Sequence, residues 1–292
     1  FETVRDAAVI QQYNDPFDPF ALHKAALISC GVIPLEGKVD LQALLSEMGG
    51  GIYLATQVVG VPKGSGLGTS SILSAACAKA LSQFFGGHAT DAEISDTVLC
   101  MEQIMSTGGG WQDQIGGLMP GIKFMRTEPG IDQKVRVEQV QMPDPARKEL
   151  EERFALIYTG QRRLARNLLR DVVGGYIGAR PESLEALREM KPVAALMRFA
   201  LEQGDIDEFA RLLNRHWDIS KKLDGGSTNT CIDQIFMVCE DLIDGRFIAG
   251  AGGGGFLQVI LKKGVSREEL SERLHHVFQD SGVRVWDSEF LF

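Results

Sequence analysis

The chain has 292 residues, 44% of them hydrophobic and 24% charged, proportions that exclude a disordered, fibrous or coiled-coil protein. Its 30 Lys and Arg against 39 Asp and Glu leave a net charge of −9, which excludes an extended basic face for duplex nucleic acid or an anionic membrane. No apolar run approaches the roughly 20 residues that span a bilayer, and the start, Phe1-Glu2-Thr3-Val4-Arg5-Asp6, has no basic segment followed by an apolar one. The expectation is a cytoplasmic protein with small-molecule partners. Five cysteines (Cys30, Cys77, Cys100, Cys231 and Cys239) lie in apolar stretches without close metal-ligand spacing and read as reduced core thiols.

Residues Gly51 to Gly60 are rich in β-branched and aromatic side chains and end at Val61-Pro62, which predicts a strand entering a loop. The loop, Lys63-Gly64-Ser65-Gly66-Leu67-Gly68-Thr69, feeds a helix over Ser70 to Leu81 that stops before Gly86-Gly87. Thr90-Asp91-Ala92-Glu93 is a capping box for a second helix, with Ile94, Val98, Met101 and Met105 on its apolar face. Gly121 to Val140 alternates as strands do, and Met142-Pro143-Asp144-Pro145 then breaks the pattern, which places a domain boundary near this proline pair: residues 1–143 and 144–292. Phe154 to Tyr158 reads as a strand. Helices are predicted over Gln161–Val173, Pro181–Gln203 with a disturbance at Pro192, Asp205–Leu223 and Thr230–Leu242. Phe247-Ile248-Ala249 and Phe256–Leu261 read as strands, Ser266-Arg267-Glu268-Glu269 as a helix cap, and Val283–Phe290 as a last strand.

Glycine is the compositional outlier, at 33 of 292 residues or about 11% against an average near 7%. The excess is clustered in Gly49–Gly51 with Gly64, Gly66 and Gly68, in Gly108–Gly110 with Gly116-Gly117, and in Gly250 with Gly252–Gly255. Each cluster is short and flanked by apolar segments, so these are turns within a fold, and they point to a site built from main chain.

A glycine loop opening a helix offers unpaired N–H groups and a partial positive charge to a phosphate. Lys63 to Ser71 has that form, yet matches neither the Walker loop nor the dinucleotide fingerprint. A structural turn is the alternative. Glu102 stands four residues after Val98 and eight after Ile94, so helical spacing turns it toward the apolar face. A carboxylate there needs a partner, either a cation such as Mg²⁺ or a basic side chain. Asp113, in Gly108-Gly109-Gly110-Trp111-Gln112-Asp113-Gln114, could accept the proton of a substrate hydroxyl or orient the loop through an Asx turn. Trp111 is either a sugar-stacking platform or a packing residue. His216 follows Phe209, Leu212 and Leu213 at helical spacing and reads as packed; Arg162, Arg163 and Arg166 read as a solvated face. Met101, Met105, Met237 and Phe236 read as core.

These residues resemble the GHMP small-molecule kinases, and among them the L-fucokinases. Pro62 to Ser71 is similar to the family's second motif, Gly250-Ala251-Gly252-Gly253-Gly254-Gly255 to its third, and Thr107 to Gln114 to a segment of fucokinases and close sugar-1-kinases. Tyr158-Thr159-Gly160 with Arg163-Leu164-Ala165 is also fucokinase-like. The resemblance runs from about Glu2 to the C-terminus.

The resemblance implies an α+β protein, with an N-terminal domain like ribosomal protein S5 domain 2 and a ferredoxin-like C-terminal domain. It implies ATP and Mg²⁺ as cofactors and transfer of a phosphoryl group to the anomeric hydroxyl of L-fucose. Asp113 falls at the catalytic aspartate, and Ser70 and Glu102 fall at the metal ligands. Lys63, Gly64, Ser65, Gly66, Leu67, Gly68, Thr69, Ser70 and Ser71, together with Gly252, Gly253 and Gly254, fall in the nucleotide-binding segments. Trp111, Gln112 and Thr159 are the candidate sugar contacts. The family's first motif has no counterpart, so the resemblance implies a chain beginning downstream of it, with a pyrophosphorylase domain as a possible upstream fusion. A D-glycero-D-manno-heptose 7-phosphate 1-kinase and a non-catalytic sugar-binding homologue are the alternatives.

Overall fold

A computed structural model describes the chain except Pro16, Lys63, residues 106–109, 131–133 and 162–164, Ala251 and residues 291–292; of 165–170 it describes the backbone alone. The chain divides into two units, one of Phe1–Val61 with Gly68–Met119 and one of Pro62–Leu67 with Pro120–Phe292.

The first unit is helical among the described residues. Asp6 caps a short helix, α1 (Ala7–Ile10), through a bond from the Ala8 amide, and Asp40 caps α3 (Leu41–Glu47), with α2 (Ala21–Ser29) between them. No periodicity over residues 1–50 pointed to these three. The expected helix after the glycine loop is α4 (Thr69–Phe84), and the capping-box helix is α5 (Asp91–Ile104), in which Thr90 and Glu93 exchange both bonds of the box. A short α6 (Gln112–Leu118) ends the unit. Ala25 and Ala26 of α2, Cys77 and Leu81 of α4 and Met101 of α5 form its core with Met105. Small residues on α2 and α4 let the helix axes approach and leave room for the methionines.

Gly51 to Gly60, expected as a strand, joins no ladder among the described residues. Ile52, Leu54 and Thr56 are half-buried while Tyr53, Ala55 and Gln57 are exposed, so the period of two that the sequence carries is present. Alternation is a local property of the chain, whereas a ladder requires a neighbouring strand.

In the second unit β1 (Lys123–Thr127) and β2 (Val135–Gln139) form an antiparallel hairpin. A helix, α7 (Asp144–Arg153), runs through the segment read from the prolines as a boundary, with Pro145 in its first turn where a missing N–H costs nothing. Val140, Met142, Ala146 and Leu150 share one core with Leu201, Ile206, Ala210 and Leu213. The division of the chain therefore falls at Met119/Pro120, ahead of the proline pair.

The main sheet holds β3 (Phe154–Thr159), β4 (Ile243–Ile248), β5 (Phe256–Leu261) and β6 (Val283–Trp286) in the order β4-β5-β3-β6, every pair antiparallel. Between β3 and β4 lie α8 (Ala165–Ile177), α9 (Pro181–Gln203), α10 (Ile206–Leu223) and α11 (Thr230–Val238), and between β5 and β6 lies α12 (Arg267–Phe278). Numbered by chain position the strands read 4-1-3-2 across the sheet, the ferredoxin-like arrangement expected. Along β5, Leu257, Val259 and Leu261 face one core and Ile260 the other, as a strand buried on both sides must.

Two expectations about single side chains need correction. Cys100 is exposed, unlike the buried Cys77 and Cys239, whose thiols burial pushes up to about 11 and about 12. Met237 is 66% exposed, because the apolar face of α11 is carried by Ile232, Ile235 and Phe236. His216 packs as expected, its ring stacked on Phe247 at 4.3 Å.

Candidate functional site

In the first unit the site is built at the start of α4. Gly68 is the N-cap, held left-handed at φ +66°, and the first helical bond runs from the Ile72 amide to its carbonyl. The amides of Thr69, Ser70 and Ser71 are left without an intrahelical acceptor at the positive end of the helix. Asp113, in the first turn of α6, lies on this cap: a Cβ added at Gly68 would stand 3.4 Å from Asp113 Cγ and 3.6 Å from Oδ1. Glycine is favoured there by its left-handed backbone angle, and the carboxylate lies within van der Waals reach of where a Cβ would stand.

Glu102 of α5 is 7% exposed, and its Oε1 accepts a 2.5 Å hydrogen bond from the Ser71 hydroxyl. Burial raises its pKa above the ordinary glutamate value; the Ser71 hydrogen bond opposes that, the charge of Asp113 adds to it, and the Gln114 side chain opposes it again. Gln114 is 1% exposed, and the fully buried Ser74 hydroxyl has no hydrogen-bond partner. Two carboxylates, the Ser70, Ser71 and Ser74 hydroxyls and a buried amide thus gather at one helix start. Hard oxygen donors of this kind, few in number, suit Mg²⁺, which takes one or two carboxylates and fills its remaining positions with water and phosphate oxygens. No cluster of three or more His, Cys, Asp and Glu fit to hold a metal occurs among the described residues, and such an ion needs none.

Ser70, expected with Glu102 as a magnesium ligand, is exposed, and the hydroxyl that donates to the carboxylate is that of its neighbour Ser71. One residue turns a helical side chain by about 100°, so only one of two adjacent serines can face α5.

The second unit carries Ser65 and the Gly250–Gly255 turn between β4 and β5. The Phe256 amide donates to the Ser65 carbonyl at 3.1 Å, and Gly255, at φ +84°, lies so close that a Cβ would collide with that carbonyl. The Gly255 carbonyl accepts from both the amide (2.9 Å) and the hydroxyl (3.0 Å) of Thr159. The first half of the glycine loop is therefore fixed to the third glycine run by main chain.

Thr159, expected to touch a sugar, is 1% exposed and spends its hydroxyl on that carbonyl. Gln112 is exposed and Trp111 half-buried, at the start of α6 beside Asp113. Lys63, Arg162 and Arg163 lie outside the described residues, as does the side chain of Arg166. A cavity of about 1030 Å³ in the second unit shares no residue with the site; Arg153 and Arg267, which line it, are taken up by ion pairs or backbone carbonyls. Sequence reasoning missed the Ser71 link to Glu102 and the part of Gln114. The serine follows from placing Glu102 inward and asking which α4 hydroxyl could meet it; no sequence pattern marks the glutamine.

Residues 39–121 match the family model described as the GHMP kinases N terminal domain. The chain is 37% identical over 284 residues, 97% of its length, to the bifunctional fucokinase/GDP-fucose pyrophosphorylase of Arabidopsis thaliana. It is 36% identical over 258 residues, 87% of its length, to the L-fucokinase/L-fucose-1-P guanylyltransferase of Bacteroides fragilis. It spans only 26% and 27% of those two proteins. Phosphomevalonate kinase of Streptococcus pneumoniae has the same fold, with a TM-score of 0.69 at 15% identity, over 100% of this chain and 85% of that one. The chain belongs to the GHMP kinases.

Proposed function

We propose that the chain is the kinase part of an ATP-dependent sugar kinase that phosphorylates the anomeric hydroxyl of L-fucose. The observation that carries the reading is the packing of Asp113 on Gly68, one turn from the hydroxyl that holds Glu102. The naming of the two curated relatives as fucokinases supports L-fucose as acceptor.

In the first unit the amides at the start of α4 are the groups that would take the terminal phosphates of ATP, and in the second unit the main chain of Gly64 to Leu67 and of Gly252, Gly253 and Gly254 is the candidate nucleotide-binding segment. Asp113 orients the sugar and accepts the proton of its anomeric hydroxyl. The sugar oxygen forms the new bond to the γ-phosphorus, the bond to the bridging oxygen breaks, and ADP departs with that electron pair. Glu102 and Ser70 hold magnesium, which when bound neutralises charge on the phosphate oxygens; Ser71 fixes the Glu102 rotamer. Little covalent help is needed, so position and charge supply most of the rate. The product, L-fucose 1-phosphate, is the compound after which the guanylyltransferase activity of the Bacteroides fragilis relative is named, and a nucleotidyl-transferring domain on the same polypeptide belongs to this reading.

The test is an assay of the full-length protein with ATP and a panel of sugars including L-fucose and D-glycero-D-manno-heptose 7-phosphate. Release of ADP with L-fucose, giving an acid-labile sugar 1-phosphate, supports the reading. Turnover confined to the heptose phosphate overturns the choice of sugar. Binding of ATP and fucose without turnover overturns the kinase reading in favour of a sugar-binding homologue.

A further inference from the structure

Among the described residues the turn that follows β4 is held at Ser65 and at Thr159, as described, and at a further point. This point lies just before α11. The Ser227 carbonyl accepts from the Gly253 amide at 2.8 Å, and the Asn229 side-chain amide donates to the Gly253 carbonyl at 3.1 Å and to Gln161 Oε1 at 3.2 Å. The Gln161 carbonyl in turn accepts from the Gly255 amide at 3.1 Å. Asn229 uses its remaining side-chain atom, Oδ1, to cap α11 by accepting from the Ile232 amide at 3.1 Å. One half-buried side chain thereby bolts together the start of α11, the middle of the glycine turn and the end of β3.

A run of glycines has more conformations to lose than any other sequence, so a turn that must present its main chain to a ligand in one geometry needs external restraint. We infer that Asn229 is a positioning residue for the Gly250–Gly255 turn: its amide fixes the Gly253 peptide, and with it the turn's grip on the phosphates of a nucleoside triphosphate. The nucleotide half of this inference rests on the reading of the turn given under Proposed function; the clamp itself does not.

The helix-capping role of Asn229 can be separated from the clamp. Asn229→Ser keeps a good neutral cap for α11 but has no amide to reach Gly253, while Asn229→Asp keeps the cap and turns the donor into an acceptor facing a carbonyl. Both variants are made in the full-length protein. Hydrogen exchange at the Gly253 and Gly255 amides is measured without ligand, and ADP affinity and the kinetic constants for ATP and L-fucose are measured alongside. Loss of the amide's hydrogen bond to Gly253, with the one to Gln161, predicts exchange faster by about five- to tenfold in the serine variant and a KM for ATP and Kd for ADP raised by a similar factor. The KM for fucose and the unfolding midpoint should stay close to wild type. The aspartate variant should exceed the serine variant in both effects. Unchanged exchange at both amides in both variants overturns the clamp. Faster exchange with unchanged ADP affinity overturns the link to the nucleotide. Failure of the wild-type protein to turn over ATP would sink the kinase reading instead, and exchange would still decide the clamp.

Discussion

The Ser71 hydroxyl and the Glu102 carboxylate, 31 residues apart in sequence, meet in a buried 2.5 Å hydrogen bond. It joins the start of the helix after the glycine loop to the carboxylate whose position in α5 was chosen by spacing alone. A carboxylate buried beside a second carboxylate is held against its own solvation, and the raised pKa is the thermodynamic expression of that.

The first prediction follows from that shift. A carboxylate whose folded pKa lies above its unfolded value favours folding below the unfolded value and opposes it as pH rises through the folded one. Glu102→Gln keeps an acceptor for Ser71 and removes the charge. The variant should therefore melt higher than wild type in metal-free buffer at neutral pH. The advantage should shrink as the pH falls toward the ordinary glutamate value of 4.5. Activity should be lost at every pH. A variant that melts lower than wild type at pH 7 would contradict the buried-charge account.

The two adjacent serines separate in a second experiment. Ser71→Ala leaves a buried carboxylate oxygen without its hydroxyl, which costs about 1–3 kcal/mol, whereas Ser70 is exposed and its loss should change stability by roughly 0.5 kcal/mol or less. Both substitutions should raise the magnesium concentration needed for half-maximal rate, Ser70→Ala by removing a ligand and Ser71→Ala by releasing Glu102. Denaturant titration and a magnesium titration of the rate, run on both variants, check this. Equal stability of the two would show that the short hydrogen bond contributes nothing.

The legible parts of this molecule were those written in local chemistry. The capping box at Thr90, the inward turn of Glu102 and the strand over Phe256–Leu261 depend on residues a few positions apart, and each is in the fold as read. Residues 51–60 carry the alternation of a strand without forming one among the described residues, since pairing is decided elsewhere in sequence. Pro143 and Pro145 looked like a boundary because prolines end helices as well as begin them; Pro145 begins one. Thr159 drew notice through its motif, yet only tertiary structure shows that Gly255, 96 residues away, takes its hydroxyl.

The role of Asp113 gives a third prediction. Its carboxylate lies on Gly68 and senses Glu102, so Asp113→Asn removes a proton acceptor while keeping shape and much of the hydrogen bonding. In the full-length enzyme kcat should drop by about 10²–10⁴-fold, the usual worth of a positioned base. The KM for ATP should stay within about threefold, since the nucleotide is held by main chain. Steady-state kinetics measure both. Unchanged turnover would remove Asp113 from the chemistry.

Gly68 offers a fourth. Alanine there must adopt φ near +66° and would set its methyl in van der Waals contact with Asp113, 3.4 Å from Cγ. The left-handed backbone costs about 1–2 kcal/mol, and the methyl covers one side of the carboxylate. Gly68→Ala should lower both the unfolding midpoint and kcat. Gly37→Ala, also at positive φ but with nothing within 4 Å of the added methyl, should lower the midpoint alone. If the two variants behave alike in kcat, the approach of Asp113 to the glycine loop has no functional meaning.

Thr159 decides between a sugar contact and a brace. Thr159→Val preserves volume and the backbone bond to Gly255, but removes the hydroxyl that donates to the same carbonyl and accepts from the Gln161 amide. A buried carbonyl that keeps one of two donors loses about 1 kcal/mol of hydrogen bonding, and the Gln161 amide loses a weak partner at 3.3 Å. Because Gly255 abuts Ser65, the disturbance reaches the glycine loop. The valine variant should be destabilised by about 1–2 kcal/mol and bind ADP more weakly, with the KM for fucose unchanged. A rise confined to the fucose KM, with ADP affinity and stability at wild-type values, would return Thr159 to the sugar site.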